Sequence, residues 1–270
     1  MKKWYGAMLS LIAIATLSAC GNQESEGSEE KVITVATQLE TSAEMVKIAS
    51  EVAEKDGWEI KNVSVTDNVA YNDMVEHEEA DANFAQHKPF MEQYNEEKNA
   101  HLVAVQPIYD VKIGFYSKDY QTIDEIPDDV KVALPNDPTN EGRALAILEE
   151  QGLIKLADGV GVEGRIRDVV ENPKNFEWLS VDLLNLSESY NEPGVALVYN
   201  YPVYIKKVNL TPDDAIFLEE NKTDHFALQI VTREDIRDSE KIEVLKKAMT
   251  SKEVRDFMEE KHGDTMIPSF

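Results

Sequence analysis

The sequence predicts an α/β fold in two lobes, built on mixed and mostly parallel sheets. Three observations carry that expectation. Short β-rich runs alternate with apolar stripes at helical spacing, the signature of βαβ units. A long extended stretch, His101 to Ser117, then separates two such series. Finally, the strands do not recur with the regularity that a closed βα barrel requires.

The chain opens with Lys2 and Lys3 ahead of a nearly uncharged apolar run from Trp4 to Ala19. That run is too short to span a bilayer and suits the apolar part of an export signal, assigned to residues 1–19. It ends in Leu17-Ser18-Ala19-Cys20, a setting similar to the lipoprotein signals of bacteria, where the lone cysteine is lipidated after cleavage. Residues 20–30 then form a flexible tether. No apolar side chain occurs between Gly21 and Glu30, and a coil of this length reaches roughly 15–20 Å. The expected location is therefore the outer face of the cell membrane, held by lipid at Cys20.

The globular body begins with a strand at Val32–Ala36. A helix carrying Met45, Ile48, Ala49, Val52 and Ala53 follows, started by a Thr41/Glu44 capping box and stopped at Gly57. Trp58–Val65 reads as a strand, Ala70–Ala80 as a helix, Asp81–Phe84 as a short strand and Lys88–Lys98 as a helix with Pro89 in its first turn. After the extended stretch come strand Val130–Leu134, helix Glu141–Gln151, strand Phe176–Val181, helix Asp182–Tyr190 and strand Val195–Tyr199. Strand Phe226–Thr232 leads into helices Ser239–Met249 and Ser251–His262, the second opened by a Thr250/Glu253 box. The expected division is a signal at 1–19, a tether at 20–30, one lobe from 31–112 plus 220–270, and a second from 113–219.

Composition narrows the function. A net charge of −25 excludes nucleic acid, whose phosphates need Lys and Arg, and keeps the body off an anionic membrane. With one cysteine the fold stands on packing alone. The sequence has no P-loop, no G-x-S-x-G elbow and no H-E-x-x-H, and the five His residues share no metal-ligand spacing, so neither a cofactor nor a metal is expected. Gly159 to Gly164 fits G-x-G-x-x-G, but no helical pattern follows it, and it reads as a loop.

Three clusters could carry chemistry. In Pro135-Asn136-Asp137-Pro138-Thr139-Asn140-Glu141-Gly142-Arg143 a strand ends and a helix opens with Asn140 as N-cap and Arg143 in the first turn. This is either an anion site or a tolerated surface arginine. In Asp81 to Phe90, the rings of Phe84 and Phe90, the His87 imidazole and a side-chain amide gather at a strand end, where open α/β sheets bind ligands; either ring could equally belong to the core. Asn200, between Tyr199 and Tyr201, is a weaker third candidate at the mouth of an apolar strand.

Over nearly all of the globular part the chain resembles the methionine-binding lipoproteins of ABC importers, the NlpA/MetQ type. The resemblance rests on Asp81-Ala82-Asn83, Gln86-His87-Lys88-Pro89, Val132 to Asn140 with Gly142-Arg143, Gly152 to Gly161, Asp168 to Asn175 and Ile230 to Asp235. It implies a two-lobed, type II periplasmic-binding-protein-like fold with the ligand in the interlobe cleft, no enzymatic activity, and delivery of a small amino-acid-like ligand to a membrane permease. A monomer is expected. The resemblance further implies that Arg143 holds the ligand carboxylate, Asn200 hydrogen-bonds the amino-acid backbone, and His87 and Phe90 line the pocket.

The chain departs from the family pattern in four places. Ala85 stands where an aromatic is usual, Asn68 follows Asp67 where a tyrosine is usual, Phe90 replaces a tyrosine and Leu228 an asparagine. Those changes imply a differently shaped slot, so methionine is the leading ligand and a small dipeptide or another small amino acid the alternative. A surface hydrolase or an adhesin is the remaining class of reading, and neither accounts for the ordered pocket motifs.

Overall fold

The computed structural model describes residues 31–220 and 224–270; the signal, Cys20 and the tether lie outside the described residues. Strand β1 (Val32–Thr37) leads into α1 (Glu40–Ala53), which lays Met45, Val46, Ala49 and Ala53 onto the sheet. The helix begins at Leu39 with no side-chain cap, so the Thr41/Glu44 box does not form, and Glu40 supplies the favourable negative charge of the first turn. The turn after α1 closes at Gly57, whose φ of 78° suits a residue without Cβ.

Strand β2 (Glu59–Ser64), α2 (Ala70–Glu76), β3 (Ala82–His87), α3 (Lys88–Lys98) and β4 (Leu102–Val111) complete the first series. Helix α2 is shorter than the apolar spacing suggests, because the chain turns left-handed at Glu78 and returns toward β3. Strand β5 (Gly114–Tyr116) opens the second series, followed by β6 (Lys131–Pro135), α4 (Pro138–Glu150), β7 (Lys155–Leu156), β8 (Val169–Glu171), β9 (Glu177–Val181), β10 (Val195–Asn200), α5 (Pro202–Ile205) and β11 (Phe217–Leu218). The chain ends with β12 (Leu228–Arg233), α6 (Glu240–Met249), α7 (Lys252–His262) and β13 (Met266–Pro268).

Two main sheets result. The first runs β13-β4-β12-β3-β1-β2 and the second β11-β5-β10-β6-β9. Parallel pairing is narrower than the alternation implies, because among the described residues only β1 with β2 and β3, and β6 with β9 and β10, run parallel. Strands β4, β12 and β13 and strands β5 and β11 pair antiparallel, so both sheets are mixed. One core cluster includes Ile33, Phe84 and Ile230 from the first sheet and Phe115, Leu134 and Leu197 from the second.

The chain passes between the sheets twice, once from β4 to β5 and once from β11 to β12. The two crossings touch: the Glu219 N–H donates to the Ile113 carbonyl at 2.9 Å.

Other differences from the sequence reading are local. The stretch expected as helix Asp182–Tyr190 is a turn followed by a 3₁₀ helix, Leu186–Asn191, in which the buried Leu186 and Ser189 stand one three-residue turn apart. Helix α7 is capped by Ser251, whose hydroxyl accepts from the Val254 N–H, and not by Thr250. Strand β13 is too short and too half-buried to leave a periodic signal. Among the described residues no helix is long and apolar enough to cross a membrane.

Candidate functional site

A cavity of about 280 Å³ lies where the strand ends of both sheets meet. The first sheet's side supplies Gln38, Asn68, Tyr71, Gln86, His87, Phe90 and Tyr109, and the second supplies Asn140, Tyr201, Pro202 and Tyr204. Its outer wall carries Lys206, Lys261, His262 and Asp264.

Helix α4 starts three residues earlier than a cap at Asn140 would place it. Pro138 occupies its first turn, and Asp137 is the N-cap, accepting from the Asn140 N–H at 2.9 Å. Asn140 therefore sits inside the first turn with its side chain buried. Its Nδ2 donates to both oxygens of Asp137, at 3.0 and 3.1 Å, and its Oδ1 accepts from the Tyr201 hydroxyl at 2.6 Å. Burial raises the Asp137 pKa, and the hydrogen bonds from Asn140 and Thr139 oppose that shift.

His87 caps α3. Its Nδ1 accepts from the Phe90 N–H at 3.2 Å, which leaves the proton on Nε2, facing Asn140 Oδ1 at 3.4 Å. Burial and the nearby Arg143 charge lower its pKa to about 3, so the ring is neutral at physiological pH. Its edge meets Phe226 at 5.1 Å and Phe90 at 6.2 Å between centroids.

The end of β3 is fixed by a buried amide network. Asn72 Nδ2 donates to Gln86 Oε1 at 3.0 Å, Asn83 Nδ2 to Asn72 Oδ1 at 2.9 Å, and Gln86 Nε2 to Asn83 Oδ1 at 2.9 Å and to Asn72 Oδ1. Each amide holds the next, and Gln86 presents itself to the cavity in one orientation. Gln38 bridges in the same way, donating to Asn68 Oδ1 at 2.9 Å and accepting from the Tyr204 hydroxyl at 3.3 Å.

Arg143 is the largest fully buried side chain among the described residues, 1% exposed. Nε donates to Glu219 Oε1 at 2.9 Å, Nη2 donates to Glu219 Oε2 and to Asp110 Oδ1, the latter at 3.2 Å, and the guanidinium lies 4.4 Å from the Phe226 ring centre. Burial opposes its charge, but the Glu219 hydrogen bond and the neighbouring Tyr201, Tyr199 and Glu219 raise its pKa well above the usual arginine value. Nη1 has no partner among the described residues. Asn200 is also fully buried: its Oδ1 accepts from the Tyr201 N–H at 3.1 Å, and its Nδ2 is unpartnered among the described residues.

The residues singled out from sequence thus separate into three groups. Asn68, His87, Phe90 and Asn140 form cavity wall. Arg143 and Asn200 adjoin it through Tyr201, Asn200 by sequence and Arg143 at 6.0 Å from the ring centre. Phe84 is fully buried edge-on to Tyr109, centroids 5.8 Å apart, and forms no part of the wall. Sequence reasoning missed Gln38, Asp110 and Glu219. For Asp110 a signal existed, a charged residue inside a buried strand between Tyr109 and Val111, which demands a partner.

Comparison with known proteins agrees with this architecture. The sequence profile described as NlpA lipoprotein matches residues 33–270. The D-methionine-binding lipoprotein MetQ of Escherichia coli (strain K12) is 37% identical over 254 residues, covering 93% of this chain and 92% of the relative. Among solved structures, a YaeC-family lipoprotein from Enterococcus faecalis V583 is 56% identical with a TM-score of 0.83, covering 89% of this chain and all of the other. A nutrient-binding protein from Burkholderia cenocepacia bound to methionine is 32% identical with a TM-score of 0.82, covering 88% and 100%. With a profile match across the whole globular part and these relatives along its length, the chain belongs to the NlpA lipoprotein family.

Proposed function

We propose that this chain is a lipid-anchored, extracytoplasmic solute-binding protein that captures methionine or a closely related amino acid and delivers it to an ABC importer. It binds and does not catalyse. Anchoring is through Cys20, and two lobes, 31–112 with 220–270 and 113–219, close on the ligand by bending at the paired crossings.

The observation that carries this reading is a pair of buried donors without acceptors among the described residues, Arg143 Nη1 and Asn200 Nδ2, both next to the cavity wall at Tyr201. Buried polar groups are nearly always hydrogen-bonded, so two orphan donors beside the same wall residue call for acceptors. A ligand carboxylate supplies the acceptors. His87, Phe90, Asn68 and Asn140 then surround the rest of the molecule, with the aromatic faces suited to a thioether, and Phe84 supports them from the core.

Binding only the folded state raises stability by RT ln(1 + [L]/Kd), about 2.7 kcal/mol at a hundredfold excess over Kd. L-methionine, D-methionine and methionyl dipeptides are therefore tested by thermal shift. A rise with any of them supports the class, and no rise with all of them overturns it. One observation favours the dipeptide alternative: the cavity continues to the charged outer wall at Lys206, Lys261, His262 and Asp264, room and charge that a single amino acid does not use. Native mass spectrometry of the purified protein distinguishes the two by the mass it retains.

A further inference from the structure

Tyr71 is 2% exposed, lines the cavity, and gives its hydroxyl to no hydrogen bond among the described residues. That oxygen is not sealed away with the buried orphan atoms, so it keeps surface of its own in the cavity that the residue lines. Burial, with Tyr204 and Asp137 nearby, holds its pKa well above the usual phenol value, so it is a donor at any working pH. Backbone bonds hold the residue in place. Asp67 Oδ1 accepts the Val69 and Ala70 N–H groups at 2.8 and 2.7 Å where α2 starts, and the Tyr71 carbonyl accepts from Asn83 Nδ2 at 3.4 Å.

This hydroxyl stands at an apolar end of the cavity. Tyr71 packs in a cluster that includes Met91, Tyr94 and Val231, and Ala85 and Phe90 lie against it. A bulge brings Ala85 there: β3 and β12 pair Gln86 with Gln229 and Phe84 with Ile230, which leaves Ala85 as the extra residue. Strict alternation would turn Ala85 and Gln86 to opposite faces, and the bulge lets both line the cavity. Ala85 contributes only a methyl group beside the phenol. Gln86 is not a second donor, because its Nε2 already donates to Asn72 and Asn83.

Resting on the methionine-class reading above, we propose that Tyr71 is a specificity-determining residue that reads the ligand's side chain. With the ligand carboxylate on the second sheet's side, the side chain reaches the end formed by Tyr71, Ala85 and Phe90, and its heteroatom accepts from the Tyr71 hydroxyl. The ligand class is then an α-amino acid of methionine's length with an acceptor near the end of its side chain. A thioether sulfur is a weak acceptor. It still counts, because a ligand that covers the hydroxyl without offering an acceptor strands a buried donor. Norleucine, with an all-carbon side chain of the same length, is disfavoured for that reason.

The test is isothermal titration calorimetry of L-methionine and L-norleucine on the native protein and on Tyr71→Phe, with thermal melts of both proteins without ligand. The native protein is expected to prefer methionine by about tenfold and the variant to bind the two compounds about equally, as loss of one neutral hydrogen bond implies. The variant should melt like the native protein, since the hydroxyl holds nothing else in place. An unchanged ratio in the variant overturns the assignment to Tyr71 while leaving the methionine reading intact. Equal native affinity for the two compounds overturns the proposal, and so does a lowered melting temperature, which would give the hydroxyl a partner inside the protein. A native protein that binds neither compound also overturns it, and the functional reading falls too only if D-methionine and methionyl dipeptides fail as well.

Discussion

His87 at the end of β3 and Asn140 in the first turn of α4 face each other at 3.4 Å, Nε2 to Oδ1, and join the first sheet's side of the cavity to the second's. The bond requires a proton on Nε2, and the Phe90 N–H donating to Nδ1 requires that nitrogen bare, so the two together select the neutral Nε2–H tautomer. A helix cap thus sets the protonation of a cavity residue.

Stability should therefore fall with acid in a way traceable to this ring. His87 in the folded protein is lowered to about 3 from 6.5, by burial first and by Arg143 and His225 next. The unfolded chain then binds a proton that the folded one refuses, so the contribution is present above about 6.5 and is lost as pH falls from there toward 3. His87→Asn keeps an acceptor for the Phe90 N–H and has nothing to titrate. Chemical denaturation at pH 7 and pH 5 is expected to show a smaller loss in the variant than in the native protein, and equal losses would exclude His87 as the source.

Arg143→Ala strands Glu219 and Asp110 as buried carboxylates without their partner. Removing one member of a buried ion pair costs ~3–5 kcal/mol of folding stability. Ligand-dependent stabilisation should vanish in the same variant, since the orphan Nη1 goes with the side chain. Urea unfolding with and without methionine measures both, and a variant that melts like the native protein would place the buried charge balance elsewhere.

Tyr201→Phe tests the second hydrogen bond on Asn140. The hydroxyl donates at 2.6 Å, and burial lifts its pKa to about 12 against the pull of Arg143, so it stays a donor at any working pH. Its loss should cost about 1 kcal/mol of stability, because Asn140 Oδ1 retains His87. A larger fall in methionine affinity than in stability would mean that Asn140 orientation, more than packing, sets the site.

Much of this was legible in the sequence, and the exceptions share a cause. Strands β1, β6, β10 and β12 and helices α3 and α6 follow directly from local pattern, since each buries one stripe or one run. The start of α4 was misplaced by three residues, although Pro138 at a first helical turn already points to Asp137 as the cap. His87 and Phe90 could be found from their strand end. The partners of Arg143 could not, because Asp110 and Glu219 are 33 and 76 residues away and meet it only after both crossings are in place. Local periodicity says that a residue is buried, and a fold is needed to say beside what.

Gly142→Ala offers the sharpest mechanical test of how the anion end is held. A Cβ there would stand 2.1 Å from the Val162 carbonyl oxygen and 3.0 Å from that of Gly164, so the 3₁₀ turn Gly161–Glu163 lies directly on α4. That contact explains why the glycine-rich stretch from Gly159 to Gly164 is a buttress and not a dinucleotide loop. Both neighbours are backbone atoms that cannot rotate away, so the loop or the helix must shift, at a cost of ~1–3 kcal/mol. Gly142 sits between Asn140 and Arg143, and a shift of α4 moves both. Thermal melts and methionine titration of the variant should therefore fall together, whereas lost stability with native affinity would show that the loop yields and the helix does not.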